Sequence, residues 1–247
     1  MQCHIDEEQE ISKMKRSIWI TGGLLIATVP LVAATAPQPD PIPLTAASVI
    51  VEINATDGDA GLQPFLDGEA WKRVTVYRPD GRKLFDVRTR GNLTQYGLTE
   101  LFSESSEPPF TEFPLEEFKK LFPEGEYRFE ATSISGERMV GSDTLTHDFP
   151  AGPVIVSPRS GATVDSDRLV VRWKPVTKPD GIDMVGYQVL VEREDPLRVF
   201  SADLPATATR VRIPRQFLEP GTEYKVEVLA IEVSGNQTLT EVDFTAG

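Results

Sequence analysis

Leu218-Glu219-Pro220-Gly221-Thr222-Glu223-Tyr224-Lys225-Val226-Glu227-Val228 decides the fold of this chain. A Pro-Gly turn leads into a Tyr, and the Tyr opens a run that alternates apolar and polar residues. A period of two puts Tyr224, Val226, Val228 and Ala230 on one face of a strand. The same grammar stands 97 residues earlier, in Phe122-Pro123-Glu124-Gly125-Glu126-Tyr127-Arg128-Phe129-Glu130-Ala131. Both runs reach a Ser-Gly turn, at Ser135-Gly136 and Ser234-Gly235. Both continue into a second strand, ending at Asp148-Phe149 and Asp243-Phe244. A repeated edge hairpin predicts an all-β protein of two tandem sandwiches.

Composition supports this. The 247 residues suit one or two domains, and 20 Pro with 18 Gly imply many turns. The net charge is −13. Such a balance argues against nucleic acid as a partner, because phosphates require neutralisation by Lys and Arg. It argues equally against docking on anionic lipid.

The N-terminus reads as an address. Lys13, Lys15 and Arg16 precede an apolar stretch, Ile18–Ala34, which runs into the small-x-small pattern Ala34-Thr35-Ala36. Residues 1–36 are expected to be a signal peptide, with Met14 a possible true start. Pro-rich residues 37–44 are expected to be a linker. The rival is an uncleaved tether through Ile18–Ala34, short for a membrane span and weakened by Gly22, Gly23 and Pro30. Cleavage would remove the only Cys, Cys3, and one of two His.

In the C-terminal segment, 153–247, the strands are legible. Leu169, Val171 and Trp173 share one face, as do Tyr187, Val189 and Val191, and Val211 with Ile213. Trp173 in the second strand, Tyr187-Gln188-Val189 in the third, and Leu218-x-Pro220-Gly221-Thr222-x-Tyr224-x-Val226-x-Val228-x-Ala230 together resemble a fibronectin type III domain. The resemblance implies that Trp173 lies in the core. It implies that Tyr224 is a tyrosine-corner residue whose hydroxyl returns to backbone near Leu218. Such domains act mainly as spacers, adhesion modules and binding platforms, and the fold does not choose among these.

Residues 45–150 resemble the same immunoglobulin-like or fibronectin-III-like sandwich more distantly, with Tyr127 in the place of Tyr224. Val49, Val51 and Ile53 alternate, and Pro79-Asp80-Gly81-Arg82 joins a hairpin. From Ile53 to Tyr127 this domain holds about 23 residues more than its partner does between Trp173 and Tyr224. The surplus is assigned to a loop over Asn54–Ala70 and to Gly91–Phe122. In the latter, Pro114 followed by Glu116, Glu117, Lys119 and Lys120 predicts a short helix.

Candidate chemistry is sparse. Asp57-Gly58-Asp59-Ala60-Gly61 and Asp67-Gly68-Glu69 alternate carboxylates with glycine. If Asp57, Asp59, Asp67 and Glu69 converge, they could bind Ca²⁺, which takes six to eight oxygens. The bland alternative is an exposed turn. No other cofactor is suggested. His147 has neither a nucleophile elbow nor a free Cys beside it, so a hydrolytic triad is not expected. Asn54, Asn92 and Asn236 each head a glycosylation sequon. The signal segment has bacterial proportions, which makes the sequons chance occurrences.

The expectation is therefore an exported, non-catalytic binding or structural module, periplasmic or extracellular, contacting a protein or polysaccharide. One alternative is a membrane-tethered spacer. Another is a carboxylate-dependent carbohydrate-active enzyme or its accessory domain.

Overall fold

The computed structural model describes residues 39–247. The leader, its cleavage site and the tether segment lie outside the described residues. No helix among the described residues is long and apolar enough to cross a membrane.

The first sandwich is built from β1 (Ile42–Pro43), β2 (Ala46–Asn54), β3 (Asp59–Tyr77), β4 (Lys83–Arg88), α1 (Leu93–Tyr96), β5 (Leu98–Phe102), α2 (Leu115–Leu121), β6 (Gly125–Ser133) and β7 (Arg138–Leu145). β3 belongs to both layers. Its first half pairs with β2 on one side and β5 on the other; its second half pairs with β4 and β6. The register shifts between Asp67 and Trp71 mark where it bends from one layer to the other. Gly68 sits at that bend. A Cβ there would lie 2.9 Å from Leu44 Cδ2 and 3.0 Å from Met139 Cε, so the ends of these two side chains would have to turn aside for a larger residue. Val49, Val51, Leu62, Trp71, Val76, Tyr127 and Phe129 are buried between the layers. Phe118 of α2 closes one end of this core.

Two expectations are corrected. Asn54–Ala70 is not a loop: only a tight turn at its start separates β2 from β3. Its glycines and Pro64 mimic loop composition, but Ala60, Leu62 and Leu66 alternate inward. Pro64 needs no donor toward β2, and its carbonyl accepts from Ser103 N on the β5 side at 3.1 Å. Residues 37–44 are not wholly a linker either. Ile42–Pro43 pairs parallel with Met139–Val140, and Leu44 N donates to Val140 O at 2.8 Å. Ile42 and Leu44 pack on the first core, which holds this edge down despite the prolines.

The second sandwich comprises β8 (Ile155–Ser157), β9 (Ala162–Val164), β10 (Val170–Trp173), β11 (Met184–Arg193), β12 (Arg198–Pro205), β13 (Arg210–Arg212), β14 (Glu223–Glu232) and β15 (Gln237–Ala246). A three-stranded sheet, β13-β10-β8, faces β12-β11-β14-β15. β9 and β12 have no counterpart in the sequence reading. β12 is an edge strand whose Phe200 and Leu204 pack on the second core while Val199 stays exposed.

Both hairpin tyrosines are buried, and both hydroxyls return to backbone. Tyr224 Oη accepts from Glu219 N at 2.8 Å and donates to Phe217 O at 3.3 Å. Tyr127 Oη donates to Pro123 O at 3.1 Å, and burial pushes its phenol up to about 12. Trp173 and Tyr187 pack ring to ring at 5.3 Å in the second core. Tyr187 Oη also accepts from Val176 N at 2.7 Å.

The two corners differ in what they satisfy. Tyr224→Phe orphans an amide donor, whereas Tyr127→Phe leaves only a carbonyl under-satisfied. Tyr224→Phe is expected to cost about 1–3 kcal/mol and Tyr127→Phe about 1 kcal/mol or less. Urea denaturation of the two variants, followed by fluorescence, checks the order.

Candidate functional site

The sandwiches meet along a strand. β2 and β15 pair in parallel through Glu52↔Gln237, Ile53↔Thr238 and Asn54↔Leu239, so one sheet runs through both domains. Ala55 N extends the contact to Leu239 O at 2.9 Å. Asn236 locks it. Its Oδ1 accepts from Val51 N at 2.9 Å. Its Nδ2 donates to Thr146 O and Thr146 Oγ1, both at 3.0 Å, and to Asp148 O at 3.3 Å. The side chain is 1% exposed and belongs to the second domain, while every one of these partners belongs to the first or to its exit.

Glu232 aims it. This buried carboxylate folds over the Ser234-Gly235 turn, accepting from Ser234 N, Ser234 Oγ and Asn236 N. Gly235 takes φ +93°, which only glycine adopts freely, and a Cβ there would press on Ile50. The sequence marked Asn236 only as a sequon. With its amide buried and fully engaged, it is closed to a glycan in the folded protein.

Beside the seam lies a carboxylate cluster. Glu52 projects from the outer face of β2, opposite Gly61 of β3. Glu104 and Glu107 come from the strap that follows β5, held to β3 by Ser105 N→Leu62 O at 3.0 Å and Phe110 N→Gly58 O at 2.7 Å. Oxygens of the three carboxylates lie within 4.8 Å of one another. Glu107 occupies the space a side chain at Gly61 would take, since a Cβ there would meet Glu107 Oε1 at 2.3 Å. Gln63 Nε2 donates to Glu104 Oε1 at 2.7 Å, and Gln237, from across the seam, donates to Glu52.

Burial, and after it mutual repulsion, raises the proton affinity of Glu52, Asp59 and Glu107. Glu52 is pushed up by burial, then by Glu104. Glu107 is pushed up to about 7 by burial, then by Glu104, Asp59 and Glu52. Asp59 is raised by burial and by Asp57.

The four residues expected to bind Ca²⁺ are not brought together. Asp59 and Asp67 are eight residues apart on one extended strand, a separation of about 26 Å. Of the four only Asp59 borders the carboxylate cluster, at Glu107, while Asn54 engages Asp57. The cluster itself offers three carboxylates, and two amide NH₂ groups already occupy lone pairs a hard cation would need. The surroundings favour instead the protonated forms of Glu52 and Glu107. Sequence reasoning missed Glu52, Glu104 and Glu107 because they meet only through the Glu52–Gly61 register.

His147 is placed structurally. Its Nε2 bonds Phe122 O at 2.9 Å, its backbone N donates to Glu124, and its ring packs by Phe149. A groove of about 390 Å³, lined by Leu62, Leu84, Phe85, Leu101 and Phe122, opens between β4 and β5 and reaches only Glu104 of the cluster.

Residues 157–243 match the family model of the fibronectin type III domain. The C-terminal sandwich is a fibronectin type III domain. Solved structures similar to the chain include the FN1–FN3 domains of chicken CNTN1, at 13% identity over 86% of this chain and 66% of that one, with a TM-score of 0.34. A two-domain fibronectin type III segment of chicken tenascin matches at 13% identity over 82% of this chain and 98% of that one, TM-score 0.31. The spore cortex lytic enzyme SleM of Clostridium perfringens matches at 22% identity over 40% of this chain, TM-score 0.28, and the match spans 28% of that enzyme. Fibronectin type III domains generally serve as binding or structural modules. In this one, Tyr224 supplies the corner and Asn236 the contact to the neighbouring sandwich.

The cluster sets a pH dependence. Glu107 is raised above its ordinary value of 4.5, so the folded state holds a proton that the unfolded chain releases. That contribution to stability is fully present below about 4.5 and is lost as pH rises through about 7. Glu107→Gln is expected to raise the melting temperature at pH 8 and to flatten its slope between pH 5 and 8. Excess Ca²⁺ or chelator is expected to leave the melting temperature unchanged, since a saturated site would add stability. Thermal melts across pH, with and without Ca²⁺, check both.

Proposed function

We propose that this chain is an exported, non-catalytic binding and structural module that holds two sandwiches as one stiff unit and contacts protein or polysaccharide at the cell envelope or outside it. The observation that carries the reading is the seam. Flexible tandem domains share few contacts across a linker. Here a strand pair, a buried Asn with four hydrogen bonds, and Gly152 wedged against Ala55 and Thr240 join the two. A fixed relation between domains means one partner can be contacted by both without an ordering cost. The N-terminal address expected from residues 1–36 supports export.

Rigidity is measurable. Spin labels at Tyr96→Cys and Arg210→Cys, with Cys3 replaced, are expected to give a single narrow distance distribution. Asn236→Ala, which orphans Val51 N and two carbonyls, is expected to cost about 2–4 kcal/mol and to broaden that distribution. A broad distribution in the parent protein would remove the reading.

The Glu52–Glu104–Glu107 group favours one second reading. Paired carboxylates, one with a raised pKa, are the equipment of glycoside hydrolysis. Turnover of a polysaccharide that disappears in Glu107→Gln would establish it.

A further inference from the structure

Five cations of the first sandwich share one face. In the layer β4-β3-β6-β7, residues whose side chains alternate away from the core form rows across the strands. One row is Arg88, Arg73, Thr132 and Arg138. The next is Asp86, Thr75, Glu130 and Val140, and the third holds Lys83, Tyr77, Arg128 and Ser142. Five cations thus surround two carboxylates, on a chain whose net charge is −13. Successive rows are about 7 Å apart, the two outer rows about 13 Å, and neighbouring side chains within a row about 5 Å.

The carboxylates order this face without neutralising it. Asp86 is held by Arg73, Lys83 and Arg88 together. Those contacts, Arg73 foremost, hold its carboxyl well below the usual range. Glu130 takes Arg138 at 3.0 Å, and Arg128 lies over the Tyr77 ring at 5.5 Å. Arg88, Lys83 and Arg138 nonetheless keep more than half of their side-chain surface in solvent. Two shallow depressions, of about 240 and 300 Å³, flank Glu130 and share Arg138.

We propose that this face binds an anionic polysaccharide carrying uronic-acid carboxylates, laid across the strands with its carboxylates on Arg88 and Arg138. Guanidinium forks match carboxylates in geometry as well as charge. Thr132 and Ser142 supply hydroxyls between them for sugar hydroxyls. The face does not suit a folded protein partner, because stable protein interfaces need buried apolar or aromatic anchors. None of the large exposed apolar side chains of the described residues lies on it. It does not suit single-stranded nucleic acid, whose bases stack on open aromatic rings, because Tyr77 is covered by Arg128. The proposal rests on the contact-module reading above and names its partner class.

The test is binding of the full chain to immobilised polygalacturonate, read at 20 and 300 mM NaCl. Neutral dextran and duplex DNA serve as comparison ligands. The expected result is salt-sensitive binding to polygalacturonate, none to dextran, and at least a tenfold loss in Arg88→Gln/Arg138→Gln. Both side chains are exposed, so a melting temperature within a few degrees of the parent's shows that the fold is intact. Arg210→Gln, on the other sandwich, is expected to bind as the parent does. No binding, equal binding to DNA, binding unchanged in the double variant, or a salt-sensitive dimer lost in that variant would each overturn the proposal. If polygalacturonate fails while the spin-label distance stays narrow, the glycan assignment falls and the stiff two-domain module stands.

Discussion

One buried amide sets the architecture. Asn236 sits just after a turn in the second sandwich, yet every group its side chain bonds belongs to the first sandwich or its exit. A primary amide offers two donors and an acceptor with two lone pairs, and buried polar groups must be satisfied. Asn236 is satisfied only if β2, the end of β7 and the turn before β15 take up one relative position. Glu232 and Gly235 exist to present it: the carboxylate caps the turn's amides, and the glycine lets the turn lie flat against Ile50. The parallel pairing of β2 with β15 follows from that placement.

Joining two sheets edge to edge also solves a problem of edges. A strand with one unpaired side is a template for adventitious pairing. β15 would be such a strand, but β2 covers its beginning and β9 its end. The cost is electrostatic. Continuity of the sheet brings Glu52 alongside Glu227 and Glu241 alongside Asp57, and Lys225 answers Glu227 and Glu241. Part of the repulsion is relieved by protonation. Burial does most to let Glu107 hold its proton up to about 7, with Glu104, Asp59 and Glu52 adding to it.

The hairpins were readable because their determinants are local. A Pro-Gly turn, a Tyr and a period of two fall within about a dozen residues, and each states its own burial. α2 was readable for the same reason, through Pro114 and the Glu-to-Lys order along it. β3 was not. Gly61 and Gly68 look like turn residues, but each is small because something distant needs the space: Glu107 over the first, Leu44 and Met139 over the second. A glycine required by a turn and a glycine required by a neighbour are identical in sequence. The misreading of β3 carried the metal expectation with it, since Asp59 and Asp67 converge only if the chain between them folds back. The carboxylate cluster and the Asn236 lock were hidden for the complementary reason. Their members are ordinary residues, and only strand register brings them together.

The segregation of charge in the first sandwich follows from the same register. β3 donates its outward residues to both layers: Gly61 and Gln63 to one, Arg73, Thr75 and Tyr77 to the other. On the first layer the outward positions meet Glu52, Glu104 and Glu107; on the second they meet Arg88, Arg128 and Arg138. Had β3 been two strands joined by a loop, each half could slip by one residue and exchange its faces. As one strand, paired with β2 and β5 before the bend and with β4 and β6 after it, it fixes both registers at once. The acidic seam and the basic face are then two readouts of a single geometric constraint.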